Sequence, residues 1–256
     1  MPPSNPTTTS SAPSARGASS PLIRRYLLAY NAACLLGWAT CTLRAALLLP
    51  LLAPSGHTPA IFTHVFHPLL TATQSLAFLE ILHALVGIVR APVFTTFLQV
   101  ASRVLVVWGV MYAFQDRGSG KGGIVGGDYA DPTGKGLRPG PGAKPGDWAF
   151  LGCLGAWGVT ECIRYGFFAL QMWGRTGVPR WLLWLRYNTF YVLYPIGISC
   201  ENILIWLALE PAGELHPLYR WFLIAVMVIY IPGSYILYTH MIAQRRRALR
   251  GKKRAD

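Results

Sequence analysis

The amino-acid sequence predicts an all-α membrane protein: a bundle of six transmembrane helices with both termini in the cytosol. Three observations carry that expectation. Of the 256 residues, 53% are hydrophobic and only 13% charged, against about 25% charged in soluble domains. Apolar runs of twenty or more residues recur along the chain, long enough for a hydrocarbon core about 30 Å thick. The net charge of +13 collects at the two ends and in alternate turns between the runs, where the positive-inside rule places it. An excess of this size in a soluble chain would point to nucleic acid. Distributed in this way it does not, and no nucleic-acid partner is expected.

Residues 1–21 are rich in Ser, Thr, Pro and Ala with one charge, Arg16. They hold no apolar core of a signal peptide and are expected to form a disordered tail. The first span covers about Tyr26 to Leu52, behind Arg24 and Arg25. The second, about Ile61 to Val89, carries Gln74, Glu80 and His83. Glu80 and His83 have the i, i+3 spacing of one arm of a di-iron carboxylate site, but that site needs a second copy. None occurs, so no metal and no cofactor are expected. The third span, about Val93 to Phe114, contains Gln99 and Arg103. Residues 115–147 are dominated by glycine and read as a flexible loop on the lumenal side. The fourth span, about Trp148 to Trp173, carries Glu161, Arg164 and Tyr165; Glu161 and Arg164, three residues apart, are placed to neutralise each other. The fifth runs from about Trp181 to Leu209, followed by an expected turn at Glu210–Glu214. The sixth spans about Leu218 to Met241, and residues 245–256 form a basic cytosolic tail. That tail ends Lys252-Lys253-Arg254-Ala255-Asp256, close to a dilysine retrieval signal, or simply a polybasic segment drawn to anionic lipid. The domain organisation is therefore a tail, a six-helix domain over 22–244, and a basic end. All five cysteines fall inside apolar runs without metal-ligand spacing and read as small hydrophobic filler.

The chemistry concentrates in the fifth span. Glu201 lies deep in it, and an acidic residue at the centre of a bilayer costs roughly 2.5–3.5 kcal/mol unless it has a partner, a wet cavity or a task. Tyr194 precedes it by seven residues, about two helical turns, so both side chains fall on nearly one face. Pro195 and Gly197 lie between them and are expected to kink or open the helix there. A phenol and a carboxylate facing one cavity form a plausible acid–base pair. Counted from the cytosolic ends, Glu80, Arg103 and Arg164 sit at comparable depths, with Arg186 nearer the mouth. The arrangement reads either as a polar pocket open to the cytosol, or as paired charges that hold the bundle together.

These residues stand within stretches that resemble the membrane 3-hydroxyacyl-CoA dehydratases, also called protein-tyrosine-phosphatase-like. The resemblance rests on Tyr30-Asn31 with Trp38, on Leu79-Glu80-Ile81-Leu82-His83, on Gln99-Val100-Ala101-Ser102-Arg103, on Thr160-Glu161 with Arg164-Tyr165, and above all on Tyr194-Pro195-Ile196-Gly197 leading to Glu201. It implies that Tyr194 and Glu201 are the catalytic pair. It also implies that Glu80, Gln99, Arg103, Arg186 and Gly197 serve substrate binding or site integrity. The implied activity is dehydration of very-long-chain 3-hydroxyacyl-CoA to trans-2-enoyl-CoA, the third step of fatty acid elongation, in the endoplasmic reticulum membrane. The implied partners are the condensing enzyme, the ketoacyl-CoA reductase and the enoyl-CoA reductase, with membrane lipid around the bundle. The phosphatase name finds no support, because no cysteine is followed six residues later by arginine. Two other readings stay open: a non-enzymatic membrane scaffold of the elongation machinery, and a small proton-coupled transporter.

Overall fold

The computed structural model describes residues 20–89, 91–116, 122–127, 142–174 and 177–253, with side chains described up to 247. The regular secondary structure among the described residues is helical, joined by turns and short irregular segments, with one isolated bridge between Gln115 and Val125. We number the helices α1 (Pro21–Leu52), α2 (Thr58–Leu85), α3 (Val93–Tyr112), α4 (Pro145–Trp173), α5 (Arg180–Asn188), α6 (Phe190–Leu215) and α7 (Pro217–Lys253).

Five of these, α1, α2, α3, α6 and α7, are long and apolar enough to cross a membrane. Their outer faces expose Leu36, Leu43, Leu47, Val228, Ile229 and Ile236, apolar surface that suits lipid and not water. The 29-residue α4 is long enough but more polar, and is not among the five. It is nevertheless the centre of the bundle, packed chiefly against α1 and α6. Small residues bring the backbones together: a Cβ added at Gly152 of α4 would lie 2.6 Å from Cys200 Sγ of α6. Such close approach is how helices associate where no hydrophobic effect drives them. Trp38 of α1 meets Trp157 of α4 edge to face at 6.4 Å, and both are buried in the core with Phe66, Phe150, Leu204 and Ile205.

Several expected boundaries are corrected. Helix α1 begins at Pro21 instead of Tyr26; proline suits the first helical position because its missing N–H would have no partner there anyway. Residues 1–19 of the expected tail lie outside the described residues. The second span is not one smooth helix. It passes through a π-helical turn at Phe66–Leu70, where His67 is extended (φ −107°, ψ 129°) and the His67–Pro68 peptide is cis. The expected turn at Glu210–Glu214 is helical, Pro211 included, and α6 ends at Leu215 with His216 extended beyond it. Helix α7 carries the chain through Lys253, so the start of the basic tail is helical.

The loop after α3 also differs from a wholly flexible segment where it is described. Val125 is fully buried. Asp116 N donates to Val125 O at 2.8 Å, and Ile124 N to Phe114 O at 2.9 Å. The Asp147 carboxylate accepts from Gly126 N (2.7 Å) and Lys144 N (2.9 Å), while Lys144 Nζ bonds Asp116 at 2.7 Å. Gly126 adopts φ +73° against the Phe62 ring, a conformation and a proximity that a side chain would obstruct. Residues 128–141 lie outside the described residues.

Candidate active site

The site is built from one stripe of α4. Trp157, Glu161, Arg164 and Tyr165 follow one another at i, i+4, i+7 and i+8, so they share a face of the helix. Arg164 reaches α2 with both terminal nitrogens, donating to the two oxygens of Glu80 at 3.0 and 2.7 Å. Tyr165 Oη donates to the same carboxylate at 2.5 Å. Arg164 Nε donates back to Glu161 at 2.7 Å, and the other oxygen of Glu161 accepts from Arg103 Nη1 of α3. Two carboxylates and two guanidiniums therefore alternate across three helices: Glu80, Arg164, Glu161, Arg103. Bidentate contact and alternation offset the penalty of removing these ions from water.

The chain of contacts continues beyond the ion pairs. The Arg103 guanidinium lies over the Trp157 ring, 5.6 Å from its centroid. Trp157 Nε1 donates to Glu201 Oε1 of α6 at 2.8 Å, and Tyr230 Oη of α7 donates to Glu201 Oε2 at 2.8 Å. Glu201 is only 8% exposed, and both its oxygens are held by neutral donors. Among the described residues no cation lies within ion-pair distance of it.

Tyr194 is half-buried. Its hydroxyl donates to the Ser234 carbonyl of α7 over a long 3.3 Å, and its ring stacks on Tyr238 at 5.8 Å. Tyr194 and Glu201 therefore do not bond each other. Their polar ends nevertheless meet α7 at Ser234 and Tyr230, four residues apart, which is one turn or roughly 6 Å of rise. The expected opening between them is absent: α6 runs helical through Pro195 and Gly197. The irregular residue is Thr189, whose hydroxyl bonds Leu185 O at 2.9 Å, a back-bond that competes with the helical ladder. With the helix intact, the Gly197 N–H belongs to the helical ladder. Gly197 lies against Trp157: an added Cβ would be 3.8 Å from Cδ1 and 3.6 Å from Ala156 Cβ.

The remaining expected residues divide. Glu80 and Arg103 belong to the network but do not touch each other; Arg164 and Glu161 join them. Gln99 is exposed, one turn before Arg103. Arg186 stacks over Phe167 and Phe168, 4.2 and 4.8 Å from their centroids. His83 bonds the Tyr26 hydroxyl at 2.8 Å, and among the described residues no three His, Cys, Asp or Glu side chains gather as metal ligands. An apolar groove of about 620 Å³, lined by Leu28, Ala32, Gly166, Trp173 and Trp181 with Arg25 at its edge, lies on the opposite face of α4 from this network. Trp157 and Tyr230 are the site residues that sequence reasoning did not single out. Trp157 had a usable signal, one turn before Glu161 on the same stripe; Tyr230 had none beyond a polar tip in an apolar run.

The family described as protein tyrosine phosphatase-like protein, PTPLA, matches residues 74–251, which include Glu80, Arg103, Tyr194, Glu201 and Tyr230. Relatives extend the match to nearly the whole chain. The rice protein named very-long-chain (3R)-3-hydroxyacyl-CoA dehydratase PASTICCINO 2A (Oryza sativa subsp. japonica) is 37% identical over 93% of this chain and 99% of its own length. The chain belongs to this family of dehydratases. A probable very-long-chain (3R)-3-hydroxyacyl-CoA dehydratase of Schizosaccharomyces pombe is 35% identical over 87% of this chain and 92% of its own. The human very-long-chain (3R)-3-hydroxyacyl-CoA dehydratase 2 is 32% identical over 90% of this chain and 82% of its own. No solved structure matches. Membership of the dehydratase family places the buried network in an enzyme, and makes a carboxylate without a counter-cation its most informative member.

Proposed function

We propose that this protein dehydrates very-long-chain (3R)-3-hydroxyacyl-CoA to trans-2-enoyl-CoA, with Glu201 and Tyr194 as its acid–base pair. One observation carries the assignment of the pair: a buried carboxylate lacking a cation and a loosely held phenol, two turns apart on α6, both turn to α7, at Tyr230 and Ser234. The thioester acidifies the C2 proton, which Glu201 removes. The electron pair forms the C2–C3 double bond, the C3–O bond breaks, and Tyr194 supplies the proton that lets the oxygen leave as water. The proton gained by Glu201 then returns to the Tyr194 phenolate through solvent. A phenol donates more readily than it accepts at neutral pH, and the long Tyr194–Ser234 bond leaves it free to turn to a substrate.

The same reading places the protein in the endoplasmic reticulum membrane, acting in the third step of elongation beside the condensing enzyme and the two reductases. It takes α4 as the sixth span, with both termini cytosolic. In support, α4 bears Trp148 at one end and Trp173 at the other, both exposed, about 37 Å apart at helical rise, as interfacial anchors would be.

The test is turnover of 3-hydroxyacyl-CoAs of graded chain length by the detergent-solubilised protein, read as enoyl-CoA by mass. Glu201→Gln and Tyr194→Phe are expected to lose about 10²–10⁴-fold in kcat while staying folded. Near-normal turnover in both would overturn the assignment, whereas no turnover by the parent protein at any chain length would favour a scaffold.

A further inference from the structure

The two donors on Glu201 are chemically unlike. Trp157 Nε1 is a donor only, so Oε1, 2.8 Å away, must present a lone pair to it whatever the protonation state of the acid. Tyr230 Oη, 2.8 Å from Oε2, both donates and accepts. A carboxylate has about four lone-pair sites, so two bonds leave room for a substrate proton. Once that proton arrives on Oε2, a donor-only neighbour would be left facing an O–H. A phenol can rotate its own hydrogen away and accept instead.

We propose that Tyr230 is a positioning residue for the dehydration: it partners Glu201 in both of its protonation states and fixes the direction in which the acid faces the substrate. The proposal rests on the reading of Glu201 as the base. In the resting enzyme Tyr230 O–H donates to Oε2. After the C2 proton has moved to Glu201, the new O–H donates to Tyr230 Oη and the phenol's own hydrogen turns to Ser102 of α3, its other hydrogen-bonding neighbour, so no buried polar atom is orphaned at either stage. A donor-only partner would orphan the proton-bearing state, and no partner at all would leave Oε2 unpaired in both states; either slows turnover while the rest of the substrate binds as before. The two tyrosines thus divide the labour. Tyr230 is tied to the base at 2.8 Å, whereas Tyr194 is held at 3.3 Å by a backbone carbonyl and remains available to the departing hydroxyl.

The surroundings allow no substitute. The other polar or titratable groups facing Glu201 are Arg103 from α3, Trp157 and Cys153 from α4, and Tyr194 and Cys200 on its own helix. Of these, only Trp157 is within hydrogen-bond distance.

The experiment compares Tyr230→Phe, Glu201→Gln and the parent protein in steady-state dehydration, with thermal melting in detergent as the fold control. Tyr230→Phe is expected to lower kcat tenfold or more with KM within about twofold and the melt retained. Unchanged kcat overturns the proposal, as does a rise in KM with kcat intact. Should Tyr230→Phe fail to fold, 3-fluorotyrosine placed at position 230 keeps the hydroxyl and makes it a stronger donor. It is then expected to change kcat at least twofold, and an unchanged kcat would again overturn the proposal. Full turnover by Glu201→Gln is a different result, which removes the base assignment itself.

Discussion

Glu161 and Glu201 are both buried, at 1% and 8% exposure, on helices packed against each other. Their surroundings differ completely. Glu161 is held between two guanidiniums, Arg103 and Arg164, and is neutralised locally. Glu201 meets an indole and a phenol, neither of which carries charge at neutral pH. The contrast separates two uses of a buried acid. Ionic closure fixes helices in one arrangement and holds the acid charged, whereas neutral donors orient a carboxylate and leave it able to take a proton.

Substitutions at the two positions are therefore expected to fail in opposite ways. Glu201→Gln, as above, abolishes most turnover while the melting temperature stays near that of the parent, since a neutral amide still fits beside two uncharged partners. Glu161→Gln leaves two arginines facing each other with only Glu80 between them and the rest of the bundle. Breaking a buried pair costs about 3–5 kcal/mol, read as a large fall in melting temperature, with the specific activity of the folded fraction much less affected than by Glu201→Gln. If the two variants behave alike, the distinction between the carboxylates is wrong. Gln74 sharpens the comparison from a third side. It is 1% exposed and among the described residues neither its Nε2 nor its Oε1 has a partner, so it is a buried polar group with no evident use in the fold. Gln74→Leu is expected to stabilise the protein by about 1 kcal/mol, seen as a modest rise in melting temperature at unchanged turnover. A fall in turnover instead would show that Gln74 faces substrate.

The helical, membrane-borne character was legible because apolar runs of bilayer length are long-range averages that local chemistry cannot disguise. Single outliers within those runs, Glu80, Arg103, Glu161, Arg164 and Glu201, were legible for the converse reason: each is too costly in hydrocarbon to be incidental. Their pairing was not. Periodicity fixes which side chains share a face of one helix, but not which neighbour that face meets, so Arg164 as the joint between Glu80 and Glu161 emerged only with the packing. Tyr230 was invisible for the same reason, since a tyrosine among Val, Ile and Met is ordinary in a span. The expected opening at Pro195 is absent because a missing N–H removes one bond from a ladder held on both sides by α4 and α7, while Thr189, with a hydroxyl of its own, disturbs the helix six residues before Pro195, outside the i−4 reach of a proline. The anchoring of residues 122–127 depends on Lys144 and Asp147, some twenty residues away in sequence, a distance over which glycine content says nothing.

The polar stripe of α4 has a consequence for how the chain is made. Alone, this helix falls short of the apolarity that the other five possess, and its Glu161 and Arg164 would meet lipid with only each other for company. Two of the residues that complete its charge balance, Glu80 and Arg103, precede it in the chain. Synthesis from the N-terminus thus delivers the neutralising helices first, and α4 docks against a waiting receptor formed by its own predecessors.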